Sequence, residues 1–200
     1  MPRQLLAFTA SALLLALTAC AQKTEAAKTA ELPVRVIATI QDIMAAEVDP
    51  AADALWASVA SVSDASGSQD HQPRTDEEWK AVRHNAITLV EAANLLVLEG
   101  RRVAVEGKKL EDAHVVGILS PQEIQGKIDG DRASFIQRAH ALQDAAREAL
   151  VAIDAKDAAR LFAVGDKLDH ACEQCHVQYW YPNDTRPPAP PFPRLEPKRS

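Results

Sequence analysis

Apolar residues recur every three or four positions in several stretches of this chain, which is the spacing of one face of an α-helix. The most regular stretch opens at a capping box formed by Thr75 and Glu78 and stops at Gly100. Its apolar stripe consists of Trp79, Val82, Ala86, Leu89, Ala93 and Leu96. The pattern therefore predicts a long amphipathic helix between these two boundaries.

Three further stretches have the same period. One begins near Asp131, and another runs from about Lys156 to Tyr181. The inward positions of these two stretches are Phe135, Ala139, Leu142, Ala146, Ala149 and Ile153, and then Leu161, Val164, Leu168, Cys172, Cys175 and Tyr179. A first helix is predicted from Pro33 to Val48, with Ile37, Ile40 and Met44 on one face.

Shorter elements join these helices. Asp49 and Pro50 predict the start of a short helix that carries Leu55 and Trp56. Residues 61–73 are rich in Ser, Asp and Gly and predict a loop. The connection 101–130 contains a further short helix, capped at Ser120.

The fold class that follows is all-α: an antiparallel four-helix bundle over residues 33–181, with short extra helices. The composition agrees, because 47% of the residues are hydrophobic and only 7 are Gly. The formal net charge of −6 makes nucleic acid an unlikely partner and suits solubility or docking onto a basic protein.

Both ends of the chain differ from the predicted bundle. Residues 1–19 contain a short apolar run after Arg3, which is typical of a secretory signal peptide. The run ends in Leu-Thr-Ala-Cys20, which resembles the bacterial lipobox and implies lipidation of Cys20; an ordinary signal with a free Cys20 is the alternative. Residues 20–32 predict a tether, and the Pro-rich residues 182–200 predict a disordered spacer. We therefore expect a membrane-anchored, periplasm-facing lipoprotein.

The chemistry of the chain is concentrated in the C-x-x-C-H string of Cys172, Cys175 and His176. On a helix these residues share one turn, so two sulfurs and an imidazole can face one bound group. Such a string attaches haem covalently, which predicts one haem c near one end of the bundle with His176 as an axial iron ligand. A zinc site that also uses His170 is the alternative, but four ligands on one continuous turn and a half point in too many directions.

The segment from Leu168 to Trp180, with its late C-x-x-C-H, resembles the class II cytochromes c, the cytochrome c prime and cytochrome c-556 group. The resemblance implies a haem whose sixth coordination position is either held by Met from the first helix or left to an apolar pocket. Met44 is the only Met after residue 1 and is the candidate sixth ligand. Val36, Ile37 and Ile40 are the candidate pocket. The extra helix near Trp56 and the long 101–130 connection depart from the family pattern.

Other residues carry weaker signals. His84, His114 and His140 are possible axial ligands, although a lone His is more often an ordinary surface residue. Arg35 and Arg83 could pair with haem propionates. No nucleophile and base constellation or phosphate-binding loop is present, so no enzymatic activity is expected.

The predicted function is therefore that of a c-type cytochrome that passes single electrons to a redox partner protein, with a homodimer left open. A five-coordinate haem protein that binds a small gas, NO or CO, is the first alternative. A structural or zinc-binding lipoprotein is the second alternative.

Overall fold

The computed structural model describes residues 34–64 and 67–183. The chain divides into two units, Met1–Val34 and Arg35–Ser200. The predicted signal peptide, the tether with Cys20, and the predicted tail beyond Asn183 lie outside the described residues. The described part is mostly helical, which confirms the all-α prediction.

Helices alternate with turns and loops along the described chain. They are α1 (Ile40–Ile43), a π-helical turn (Met44–Val48), α2 (Asp49–Ser58), α3 (Asp76–Leu96), α4 (Pro121–Gly130), α5 (Arg132–Asp154) and α6 (Ala158–Tyr179). The capping boxes of Thr75 and of Ser120 both form, and Asp157 caps the start of α6. The three long helices thus begin and end close to the positions that their caps and periodicity predict.

The first helix differs from its prediction because it begins at Ile40 and not at Pro33. Thr39 is its N-cap: the Thr39 hydroxyl accepts from the Asp42 N–H, and the Asp42 carboxylate accepts from the Thr39 N–H at 2.8 Å. Ile37 therefore lies outside the helix and is 85% exposed. The prediction that Ile37 shares an inward face with Ile40 and Met44 is wrong.

No break separates α1 from α2, so the predicted short helix at Asp49 is the continuation of the first helix. The join is the π-helical turn, in which the Asp49 N–H donates to the Met44 carbonyl five residues earlier. Pro50 explains the wider turn, because its ring lacks an N–H and would crowd the carbonyl of Ala46 in a regular α-helix. The extra residue accommodates Pro50 without ending the helix.

A single buried cluster holds the helices together. Helix α3 packs against α5, α5 packs against α6, and α2 packs against both α3 and α6. Alanines at the helix contacts, such as Ala86, Ala146 and Ala149, are fully buried, and their small side chains let the helices approach closely. Larger side chains that fill the same core include Leu55, Leu89, Leu161 and Leu168.

One small hairpin departs from the predicted loop at 61–73. Strand β1 (Ser61–Asp64) pairs antiparallel with β2 (Gly67–Asp70), with Ser61 opposite Asp70. Neither strand has the apolar alternation by which a half-buried strand is recognised, so the pattern predicted only a loop. The hairpin lies between α2 and α3 and contributes no residue to the site described below.

Candidate functional site

The C-x-x-C-H residues lie in the last third of α6 and face the protein interior. Cys172, Cys175 and His176 are half-buried, and the adjacent Ala171 and Tyr179 are buried. Both cysteine side chains pack against the core cluster. The prediction that the two sulfurs lie on the inward face of the last helix is therefore confirmed.

Two adjoining cavities meet at these residues. The first has a volume of about 390 Å³ and is lined by all three motif residues together with side chains of α2 and α5. The second has a volume of about 290 Å³ and lies between α6, the first helix and the loop that follows α3. The side chains that line both cavities are Met44, Asp49, Phe135, Cys175 and His176. The motif thus opens onto a space of the size that small-molecule and cofactor sites have.

Burial keeps both thiols neutral. It raises the pKa of Cys172 to about 12, with smaller contributions from the charge of Asp169, and it raises the pKa of Cys175 to about 11. Thiol and disulfide exchange proceeds through a thiolate, which these environments disfavour at neutral pH. The pair therefore lacks the electrostatic surroundings of a redox-active C-x-x-C.

The imidazole of His176 is held by aromatic rings. Its centroid lies 4.9 Å from that of Trp180 in an edge-to-face arrangement and 6.1 Å from that of Tyr181. Burial lowers the pKa of His176, which favours the neutral ring with a free nitrogen lone pair. This is the protonation state that coordinates a metal ion.

Met44 lines the same two cavities as His176. Met44 is half-buried and is the first residue of the π-helical turn. The start of its helix is fixed by the loop after α3, because the N–H groups of Ile40 and Gln41 donate to the carbonyls of Arg102 and Val103 at 2.9 and 3.0 Å. The structure therefore brings together Met44 and His176, although they are far apart in sequence.

The remaining histidines do not contribute. His84, His114, His140 and His170 are exposed, and none of them lines either cavity. His170, the fourth ligand of the alternative zinc site, therefore does not join Cys172, Cys175 and His176 at these cavities. Within the described ranges, no group of three or more His, Cys, Asp and Glu side chains is placed to hold a metal ion. A haem iron would not need such a group, since the porphyrin supplies its equatorial ligands.

The predicted apolar pocket is built from different residues. Ile40 lines the second cavity, whereas Val36 and Ile37 do not. The other apolar walls of this cavity are Val103, Leu110, Ile124, Ile128, Phe135, Tyr179 and Trp180. Several of these residues belong to the connection 101–130, which the sequence alone did not assign to the site.

The charged groups of the site also differ from expectation. Arg83 donates from Nε to Asp154 at 2.8 Å on the surface, and neither Arg83 nor Arg35 lines a cavity. Arg138 of α5 lines the first cavity instead. Asp49 lines both cavities, and its pKa is raised by burial and then by the charges of nearby carboxylates. The amphipathic pattern could not identify Arg138, because the pattern marks this residue only as one of the polar positions on a long helix.

Trp56 is a residue of α2. It lines the first cavity, and its Nε1 donates to the carbonyl of Gly165 on α6 at 3.2 Å. A Cβ at Gly165 would lie 3.2 Å from Cδ1 of Trp56, so the glycine allows this close contact. Trp79, by contrast, is a core residue of α3 and lines neither cavity.

None of the described helices combines the length and the hydrophobicity needed to cross a bilayer. Comparisons of the chain with models of known protein families, with curated proteins and with solved structures found no match.

Proposed function

We propose that this protein is a c-type cytochrome that carries single electrons through one haem c. Cys172 and Cys175 would form the thioether links, and His176 would be an axial ligand of the iron. The observation that carries the proposal is that these three side chains, from one turn of α6, line one cavity, and that Cys175 and His176 also line the cavity next to it. We propose a carrier and not an enzyme, because burial raises the pKa of both thiols and so disfavours the nucleophilic thiolate.

The residues present fit this cofactor. A haem c needs apolar walls, a neutral imidazole and two free thiols that add to its vinyl groups. The apolar side chains of the two cavities, the lowered pKa of His176 and the free cysteines Cys172 and Cys175 match these needs. Trp180 adds a further indication: its indole Nε1 is buried without a hydrogen-bond partner in the part of the chain that the structure describes. A buried donor of this kind normally has a hydrogen-bond partner, and a polar substituent of a bound group would supply one. Haem supplies one-electron iron chemistry when it is bound.

We also propose how the four helices are arranged. The contacts of α2 with α3, α3 with α5, α5 with α6 and α6 with α2 support an antiparallel four-helix bundle in which α1 and α2 act as one helix. This is the architecture that the resemblance to class II cytochromes c implies. The site lies near one end of that bundle, where α6 ends.

Met44 is proposed as the sixth ligand. It is half-buried, it shares both cavities with His176, and its backbone lies in a π-helical turn, a local distortion that is frequent at functional sites. A thioether ligand would fill the coordination sphere and raise the reduction potential, which suits outer-sphere electron transfer.

A five-coordinate haem that binds NO or CO is the second candidate function. The apolar walls that Ile40, Val103, Ile124 and Ile128 give to the second cavity favour it, because a small neutral gas gains from an apolar pocket next to the iron. In that case Met44 would pack without ligating.

The location and the partner of the protein are also proposals. Lipidation at Cys20 would hold the domain on the periplasmic side of a bacterial membrane, where a redox partner protein would dock on its surface. The overall negative charge favours a basic partner.

The experiment is mass spectrometry and optical spectroscopy of protein matured by a cytochrome c assembly system. The wild type should carry one covalent haem, and C172A and C175A should each lose one thioether link. H176A should lose the axial nitrogen ligand, while H140A is the matched control at an exposed position. Absence of any covalent haem in the wild type would refute the proposal.

Carbon monoxide separates the two haem functions. If the reduced protein has low-spin bands that the gas does not change, the electron carrier is supported. Rapid and saturable binding with a large spectral shift supports the gas-binding alternative.

A further inference from the structure

The charged side chains among the lining of the two cavities are acidic, with one exception. Carboxylates line both cavities: Asp49, Asp53, Asp169 and Glu173 line the first, and Asp49, Glu111 and Asp112 line the second. Arg138 is the one Lys or Arg side chain among the lining residues. The carboxylates would repel an anionic group placed in this space, and Arg138 would attract it.

Arg138 is fixed on one side by α6. Its Nε donates to Oε1 of Gln178 at 2.7 Å, and Nε2 of Gln178 donates in turn to Oγ of Ser134 at 2.8 Å. Gln178 lies two residues after His176, so the bond ties the guanidinium to the turn that carries the proposed iron ligand. The side chain is half-buried and is held in place before any ligand arrives.

The other side of the guanidinium is available. Within residues 34–64 and 67–183, its two terminal nitrogens have no hydrogen-bond partner, and Arg138 forms no ion pair. Arg138 and Cys175 line the same cavity. A half-buried cation with two free donors in the lining of this cavity is the arrangement that a carboxylate ligand would complete.

We infer that Arg138 binds a propionate of the haem through its terminal guanidinium nitrogens, and that Gln178 positions it for this contact. The inference rests on the proposed function. A residue of α5 would thus balance the negative charge of the propionate, and Arg35 and Arg83 would not have that role.

The test uses holoprotein with the substitutions Arg138→Gln and Arg138→Lys, and with Arg83→Gln as a control that removes an exposed arginine. Resonance Raman spectroscopy of the propionate bending mode reports hydrogen bonds to this group directly. We expect R138Q to shift the band, R138K to shift it less, and R83Q to leave it unchanged. Should R138Q give too little holoprotein, the comparison of R138K with R83Q decides the question.

The reduction potential gives an independent readout. Removing a cation near the iron stabilises the ferric state, so R138Q should lower the equilibrium constant for reduction about threefold to tenfold, where tenfold is about 59 mV for one electron. R138K keeps the charge and should remain near the wild type. An unchanged propionate band in R138Q on a protein that does carry haem would overturn the inference and leave the proposed function intact. A wild type without haem would refute the proposed function itself.

Discussion

Arg101 links the segment before α1 to the end of α3, and its replacement tests how the helix of Met44 is held in place. The side chain is 7% exposed. Its Nε donates to the carbonyl of Leu95 at 2.6 Å, and its Nη1 donates to the carbonyl of Ala38. The carbonyl of Leu95 lies in the last turn of α3, so the guanidinium also acts as a cationic cap at that helix end.

Arg101→Met keeps an unbranched apolar stem and removes both hydrogen bonds. A bond from a charged donor contributes about 1.5–3 kcal/mol, which gives about 3–6 kcal/mol for two. Part of this is offset, because burial disfavours the guanidinium charge and lowers the pKa of Arg101. We expect a net loss of about 3 kcal/mol in the free energy of unfolding, or a fall in Tm of about 6–12 °C for a chain of this size.

The assay is urea unfolding of the holoprotein followed by far-ultraviolet circular dichroism, with Arg102→Met as the matched control. Arg102 is exposed, and its ion pair with Glu106 spans 3.4 Å at the surface, so R102M should change stability by less than about 1 kcal/mol. Equal stability losses in the two variants would refute the reasoning. An absorption spectrum altered only in R101M would in addition indicate that Met44 has moved.

Three further predictions concern the site and the helix caps. Met44→Ala should convert a low-spin iron to a high-spin iron that binds carbon monoxide, as read from the absorption spectrum; an unchanged spectrum would remove Met44 from the coordination sphere. Gly165→Ala should displace Trp56 and change the near-ultraviolet dichroism, while a gain in helix propensity of about 1 kcal/mol keeps the urea midpoint close to that of the wild type. The Glu78 carboxylate accepts hydrogen bonds from two backbone N–H groups, and these bonds lower its pKa. The stabilisation that they give to the folded state is therefore complete above the ordinary pKa of 4.5 and is lost as the pH falls through the lower pKa of the folded state. Glu78→Gln does not titrate, so its urea midpoint should fall less than that of the wild type between about pH 5 and about pH 3.

The elements that the sequence predicted well are those whose information is local. The capping box of Thr75 and Glu78 marks the start of α3, and the cap at Ser120 marks the start of α4. The inward position of Cys172 and Cys175 followed from the apolar period of α6 alone. In each case the hydrogen bonds and the buried stripe lie within about 20 residues of one another, so a single-sequence pattern contains them.

The elements that it missed depend on distant partners. The start of α1 is set at Ile40 because its first N–H groups donate to the carbonyls of Arg102 and Val103 in the loop, 62 residues later in the sequence. The same loop supplies Leu110 to the second cavity. Neither contact leaves a periodic signal in the loop, which reads as a polar connection. The π-helical turn was missed for another reason, since Pro50 reads as a helix start and the compensating bond of Asp49 is visible only in the folded backbone.

At the proposed haem site, attachment of the cofactor and the properties of its iron would likewise depend on different parts of the chain. One turn of α6 would supply both attachment sulfurs and the axial imidazole, so the capacity to hold the cofactor would depend on a short segment. The properties of the bound iron would depend on groups from other elements: Met44 from the π-helical turn, Arg138 from α5, and the apolar wall from the loop after α3. Substitutions in those elements should therefore change spin state, gas binding and potential while covalent attachment persists, whereas substitutions of the motif residues should abolish attachment or axial ligation.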